Sequence, residues 1–126
     1  MVEMDNNKYS NIYRVSLVVE PKHKKDYTDH AKLTKYVTEA IKKGGMTLKS
    51  IIVDILHGEH KGISLVAVIS ESHCALYTFE EYNAIYVDIA TCSSEASIRA
   101  MIDYFKTVFT IKNENEINII KLGENK

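Results

Sequence analysis

Three runs of this chain, Ser50–Leu56 (SIIVDIL), Ile63–Ile69 (ISLVAVI) and Ala84–Ala90 (AIYVDIA), are apolar at nearly every position instead of alternating. Strands written this way belong in a sheet that is covered on both faces. A chain of 126 residues holds one core, not two, so the two covers must come from its own helices and from something else. A single proline and a 45% hydrophobic content exclude a disordered or collagen-like chain.

The helices are legible. From Thr28, Leu33, Val37, Ala40 and Ile41 recur at helical spacing and Gly44-Gly45 provides a stop. Further on, Ile98, Met101, Ile102, Phe105, Val108 and Phe109 form one apolar stripe, with Ser93 or Ser94 as cap and Glu95 in the first turn. Around them, Ile12–Val19, Met46–Leu56, Ile63–Ile69, His73–Phe79, Ile85–Thr91 and Ile117–Ile120 read as β-runs. The order is β-α-β-β-β-α-β, with one further β-like run in the central stretch. It predicts an α+β, two-layer α/β sandwich: a mainly antiparallel sheet with two helices on one face. The uncovered sheet face would be a liability if left open, and a homodimer is expected to close it.

Charge narrows the partners. Sixteen basic residues against seventeen acidic ones give no bulk attraction to nucleic acid or to an anionic membrane. No apolar run approaches a membrane span, and the polar start MVEMDNNKYSN carries no apolar leader segment. Two cysteines, Cys74 and Cys92, suit a reducing cytoplasm better than a disulfide framework. Lys22, Lys24 and Lys25 around His23 read as a solvated loop. His57 and His60 flank Glu59 but lack a third defined ligand, so a solvated turn is expected there and no metal.

The chemistry concentrates in Gly62–Cys92. Taken alone, Ser72 beside His73 means little, and Ser72 lacks the Gly-x-Ser-x-Gly setting of a hydrolase nucleophile. A cysteine closing a β-run is most often a small buried hydrophobe. Taken together, G-I-S before an apolar strand, V-I-S-E-S-H, T-x-x-E-Y at Thr78–Tyr82 and V-D-I-A-T-C resemble the prokaryotic-type S-adenosylmethionine decarboxylases, a pyruvoyl-dependent, self-processing family.

The resemblance implies self-cleavage between Glu71 and Ser72 of a single 1–126 domain, giving chains 1–71 and 72–126. Ser72 becomes a pyruvoyl group, which forms a Schiff base with the substrate amine and accepts the electrons released by decarboxylation. No pyridoxal phosphate and no metal are implied. Cys92 matches the proton donor and Ser64 the serine that assists processing. Glu81 matches the acidic residue that holds the ribose hydroxyls. His73 is adjacent to the pyruvoyl position and either tunes it or satisfies a backbone group; Cys74 reads as core.

Three departures stand out. Tyr77 replaces the family's processing histidine, and a phenol, titrating near about 10, is a poor general base at neutrality. Gly58 stands where an aromatic normally stacks on adenine, a contact worth about 1–3 kcal/mol; Tyr77, Phe79 or Tyr82 would have to compensate. Phe79-Glu80 replaces Trp-Pro, and Ser93 replaces the glycine after the cysteine. The expected activity is decarboxylation of S-adenosylmethionine, supplying the aminopropyl donor for spermidine. A pyruvoyl-dependent arginine or ornithine decarboxylase and a non-processed regulatory paralogue are the alternatives.

Overall fold

The computed structural model describes residues 12–59 and 61–122; the N-terminal MVEMDNNKYSN and His60 lie outside the described residues. The chain runs β1 (Ile12–Pro21), α1 (His30–Lys43), β2 (Leu48–Leu56), β3 (Gly62–Ile69), β4 (Ser72–Phe79), β5 (Ala84–Thr91), α2 (Glu95–Val108), β6 (Phe109–Ile111) and β7 (Ile120–Leu122). The strands form one antiparallel sheet in the order β2-β3-β4-β5-β1-β6, with β7 also paired to β1. Both helices lie on one face, which is the predicted α+β sandwich.

Each helix begins at a side-chain cap. Asp29 accepts from the Lys32 amide and Ser94 from the Ser97 amide, both at 3.0 Å, contacts worth about 1 kcal/mol each. Leu33, Val37 and Ile41 of α1 and Ile98, Met101 and Phe105 of α2 are fully buried, over Leu17, Leu65, Leu76 and Val87 of the sheet. The two helices meet closely where α1 ends. Ser97 Oγ donates to the Gly44 carbonyl at 2.6 Å, and a Cβ at Gly44 would lie 2.9 Å from that oxygen. Only glycine fits there without displacement.

Beyond shifts of one or two residues at other ends, two boundaries differ from the sequence reading. Phe109 leaves the helix and opens β6, although it stays buried and stacks on Phe105 at 5.9 Å. The final strand is Ile120–Leu122, not Ile117–Ile120. β6 and β7 share one edge of β1, opposite Val19–Pro21 and Ile12–Arg14. Between them Asn113 pairs with β1 through its side chain, accepting from the Val18 amide at 3.0 Å and donating to the Ser16 carbonyl at 3.4 Å. The edge thus stays satisfied where no strand runs.

The apolar runs resolve into two faces. Ile63, Leu65, Ala67 and Ile69 of β3 point into the core, while Val68 is 42% exposed on the opposite face. Ile52 of β2 and Tyr86 of β5 are exposed on that face too, at 62% and 44%. Among the described residues no helix is long and apolar enough to cross a membrane.

Candidate active site

Strands β3 and β4 form a tight hairpin. Ile69 pairs with Ser72, which leaves Ser70 and Glu71 as a two-residue turn. Glu71 has φ 56°, a left-handed conformation that costs a non-glycine residue about 1–3 kcal/mol. The predicted scissile bond therefore follows a strained residue. Ser72 opens β4 with its side chain on the helix-covered side, as the alternation through buried Cys74 and Leu76 requires.

The β4–β5 register, with His73 opposite Ala90, brings Ser72 beside Thr91. Ser72 Oγ donates to Thr91 Oγ1 at 3.1 Å and accepts from the Cys92 amide at 3.3 Å. Thr91 Oγ1 in turn accepts from the Ser93 amide at 3.0 Å and donates to Met46 Sδ at 3.2 Å. Cys92 is half-buried, Cys74 fully buried, and both are free thiols. Burial, with the charge of Asp88 adding to it, pushes the Cys74 thiol up to about 12, a value at which it exchanges no proton near neutrality. Of the two, only Cys92 is partly open to solvent.

The remaining predicted residues lie elsewhere. Ser64 and Tyr77 pair with each other across β3 and β4, on the open face. Tyr77 is five residues along the strand from Ser72, about 17 Å at the usual strand rise. Phe79 closes β4, exposed and tilted against Tyr82 at 6.4 Å between ring centroids. Glu81 sits in the following 3-10 turn, in a depression with Lys24, Glu59, Lys61, Glu80 and Asn83. Gly58 has φ 104°, so an aromatic at this position would be strained despite the open space around it. The backbone of this turn thus favours glycine at position 58.

His73 faces the open side. Its Nε2 lies 3.0 Å from Asp88 Oδ2, and Asp88 Oδ1 accepts from Ser16 Oγ at 3.0 Å and Arg14 Nε at 3.2 Å. Sequence reasoning missed Asp88, Arg14 and Ser16. The available signal was a carboxylate inside the apolar run AIYVDIA, which demands partners. Partial burial raises the Asp88 carboxyl, but hydrogen bonds from His73, Ser16 and Arg14, with the Arg14 charge, outweigh it and hold the group below the ordinary value. A depressed carboxylate adds stability above its unfolded pKa, and that stability is lost as pH falls through the folded value. Asp88→Asn is thus expected to cost about 1 kcal/mol at pH 7, given the exposure of Arg14 and His73. Urea titrations should show the gap closing below about pH 4; a pH-independent gap would contradict the assignment. Among the described residues no group of three or more His, Cys, Asp or Glu is arranged to hold a metal ion.

One antiparallel sheet with two helices on one face, and a strained turn delivering a serine hydroxyl to the end of the neighbouring strand, defines an α+β sandwich with its candidate chemistry at a hairpin. The sequence model of the S-adenosylmethionine decarboxylase family matches residues 17–121. The chain belongs to that family of carboxy-lyases, which is in general pyruvoyl-dependent. Its fold is similar to the crystal structure of the adenosylmethionine decarboxylase from Aquifex aeolicus VF5, with a TM-score of 0.74 over 91% of this chain and 92% of that one. Identity across that match is 16%, so it bears on the fold alone.

Proposed function

We propose that the chain cleaves itself between Glu71 and Ser72 and acts as a pyruvoyl-dependent decarboxylase of S-adenosylmethionine, making the aminopropyl donor for spermidine. The observation that carries this reading is the Ser72 hydroxyl, held by Thr91 and the Cys92 amide immediately after the left-handed Glu71. Ser72 Oγ attacks the Glu71 carbonyl carbon; the C–N bond breaks, and the hydroxyl proton ends on the freed Ser72 nitrogen. The amide has become an ester, and the backbone strain at Glu71 is free to relax. Loss of the Ser72 α-proton then breaks the Cβ–Oγ bond, and Glu71 departs as a carboxylate. The remaining dehydroalanine takes up water, loses ammonia and leaves a pyruvoyl cap on residue 73.

Ser72 suits that fate because its side chain already sits at a chain end in the making, next to a half-buried thiol residue. The pyruvoyl carbonyl supplies an electron sink for the substrate as carbon dioxide leaves. Cys92 then returns a proton to the substrate α-carbon. Both thiols are free, in keeping with a cytoplasmic enzyme.

A homodimer through the open sheet faces belongs to this reading. Exposed Ile52, Val68 and Tyr86 give the contact an apolar centre. The predicted site is also divided, with Ser72 and Cys92 at one end of the hairpins and Ser64, Tyr77, Phe79 and Glu81 toward the other.

One observation favours a second substrate class. The left-handed Gly58 removes an adenine wall, and arginine or ornithine has no base to stack. Carbon dioxide release from labelled S-adenosylmethionine, arginine and ornithine separates the two. S-adenosylmethionine is the expected substrate, and release from a basic amino acid alone would overturn that assignment. The same preparation should sediment as a dimer; a monomer at micromolar concentration would remove the proposed interface.

A further inference from the structure

We propose that Thr91 is a positioning residue for self-cleavage, and that Met46 fixes the direction in which its hydroxyl works. This rests on the processing reading above and adds residues to it.

The argument is a count of donors and acceptors. A threonine hydroxyl has one hydrogen and two lone pairs. Thr91 Oγ1 uses all three: it accepts from the Ser93 amide at 3.0 Å and from Ser72 Oγ at 3.1 Å, and gives its hydrogen to Met46 Sδ at 3.2 Å. A thioether accepts but has no hydrogen to return. The chain of bonds therefore runs one way, from Ser72 through Thr91 to Met46. At 1% exposure, Thr91 is screened from water that could reverse it.

The consequence falls on Ser72. Its hydrogen is committed to Thr91, and one of its lone pairs is committed to the Cys92 amide. One lone pair is left for the Glu71 carbonyl carbon. If Thr91 were free to donate, it would occupy that lone pair and blunt the nucleophile. Thr91 keeps none of the reacting atoms; the hydroxyl proton still ends on the Ser72 nitrogen as the C–N bond breaks. Its work is to hold the Ser72 oxygen in one rotamer with its nucleophilic lone pair free.

The test follows full-length precursor by denaturing mass spectrometry from the moment of purification, with thermal melting alongside. Thr91→Val keeps the shape and loses the hydroxyl; conversion is expected to slow roughly tenfold or more, the worth of one well-placed hydrogen bond. Thr91→Ser keeps the hydroxyl and should restore conversion to within about threefold of wild type, since the same bonds can form. Met46→Leu removes the acceptor, frees Thr91 to donate, and should slow conversion without touching Ser72. A folded Thr91→Val that converts at the wild-type rate overturns the proposal. So does a Thr91→Ser as slow as the valine variant, which would make the effect one of packing. If the valine variant fails to fold, wild-type conversion in Met46→Leu overturns the directional role. A wild-type chain that never converts removes the processing reading itself and this inference with it.

Discussion

Replacing Ser72 with alanine is expected to leave a chain of full mass, 14.3 kDa for the intact sequence, while the wild type resolves under denaturing conditions into two fragments meeting at Glu71 and Ser72. The effect is all or none because an acyl shift at the Glu71–Ser72 bond needs the hydroxyl of the residue that follows it, and Ser72 Oγ is that atom. Without Oγ no ester forms, and an unactivated amide does not hydrolyse on the timescale of a purification. Folding should survive the change. Ser72 contributes two hydrogen bonds at the edge of the core, and alanine forgoes about 1 kcal/mol for each. Glu71 keeps its left-handed turn in the variant, so strain alone is not enough to break the bond. A wild-type chain still intact after prolonged incubation would exclude both decarboxylase readings and leave a non-processed paralogue. Cleavage of the alanine variant at the same bond would show a contaminating protease.

The architecture was legible in the sequence wherever one face of an element decides its burial. Leu33, Val37 and Ile41, or Ile98, Met101 and Phe105, have one face to bury, and helical spacing records it. The pattern failed at Phe109 because that residue stays buried while the backbone turns from helix to strand. Hydrophobicity does not register such a switch, and neither Gly nor Pro marks it. Asn113 escaped for a related reason: its pairing with Val18 and Ser16 is made 95 and more residues away in sequence. At the site, spacing was informative for Ser72 and Cys92. A hairpin turning at Glu80–Tyr82 necessarily brings residues 72 and 91–92 together. Spacing says nothing about which face a residue occupies relative to its neighbours across several strands. Asp88 and Arg14 around His73, and Met46 behind Thr91, are therefore products of the assembled sheet.

The near-continuous apolar runs are half explained within one protomer. In β3 and β5 the core-facing positions are buried by α1 and α2, whereas Val68 and Tyr86 stay exposed. A single protomer gives those open-face residues no reason to be apolar. The proposed dimer does.

Cys92→Ala is expected to separate the two reactions of the chain, leaving self-cleavage close to wild type and lowering productive decarboxylation by about 10²–10⁴-fold, the usual contribution of a placed acid. The contact that Cys92 makes to Ser72 comes from its backbone amide, and alanine retains it. In the proposed mechanism the thiol is called on only later, when the substrate carbon needs a proton. Cys74 provides the internal comparison. It is equally free but sealed in the core, with burial pushing its thiol up to about 12, so it neither donates at neutrality nor recharges from solvent. Cys74→Ala should lower the melting temperature through the cavity it leaves and keep turnover per folded molecule. Undiminished turnover in Cys92→Ala would refute the proton-donor role. Loss of cleavage together with turnover would instead place the thiol in processing.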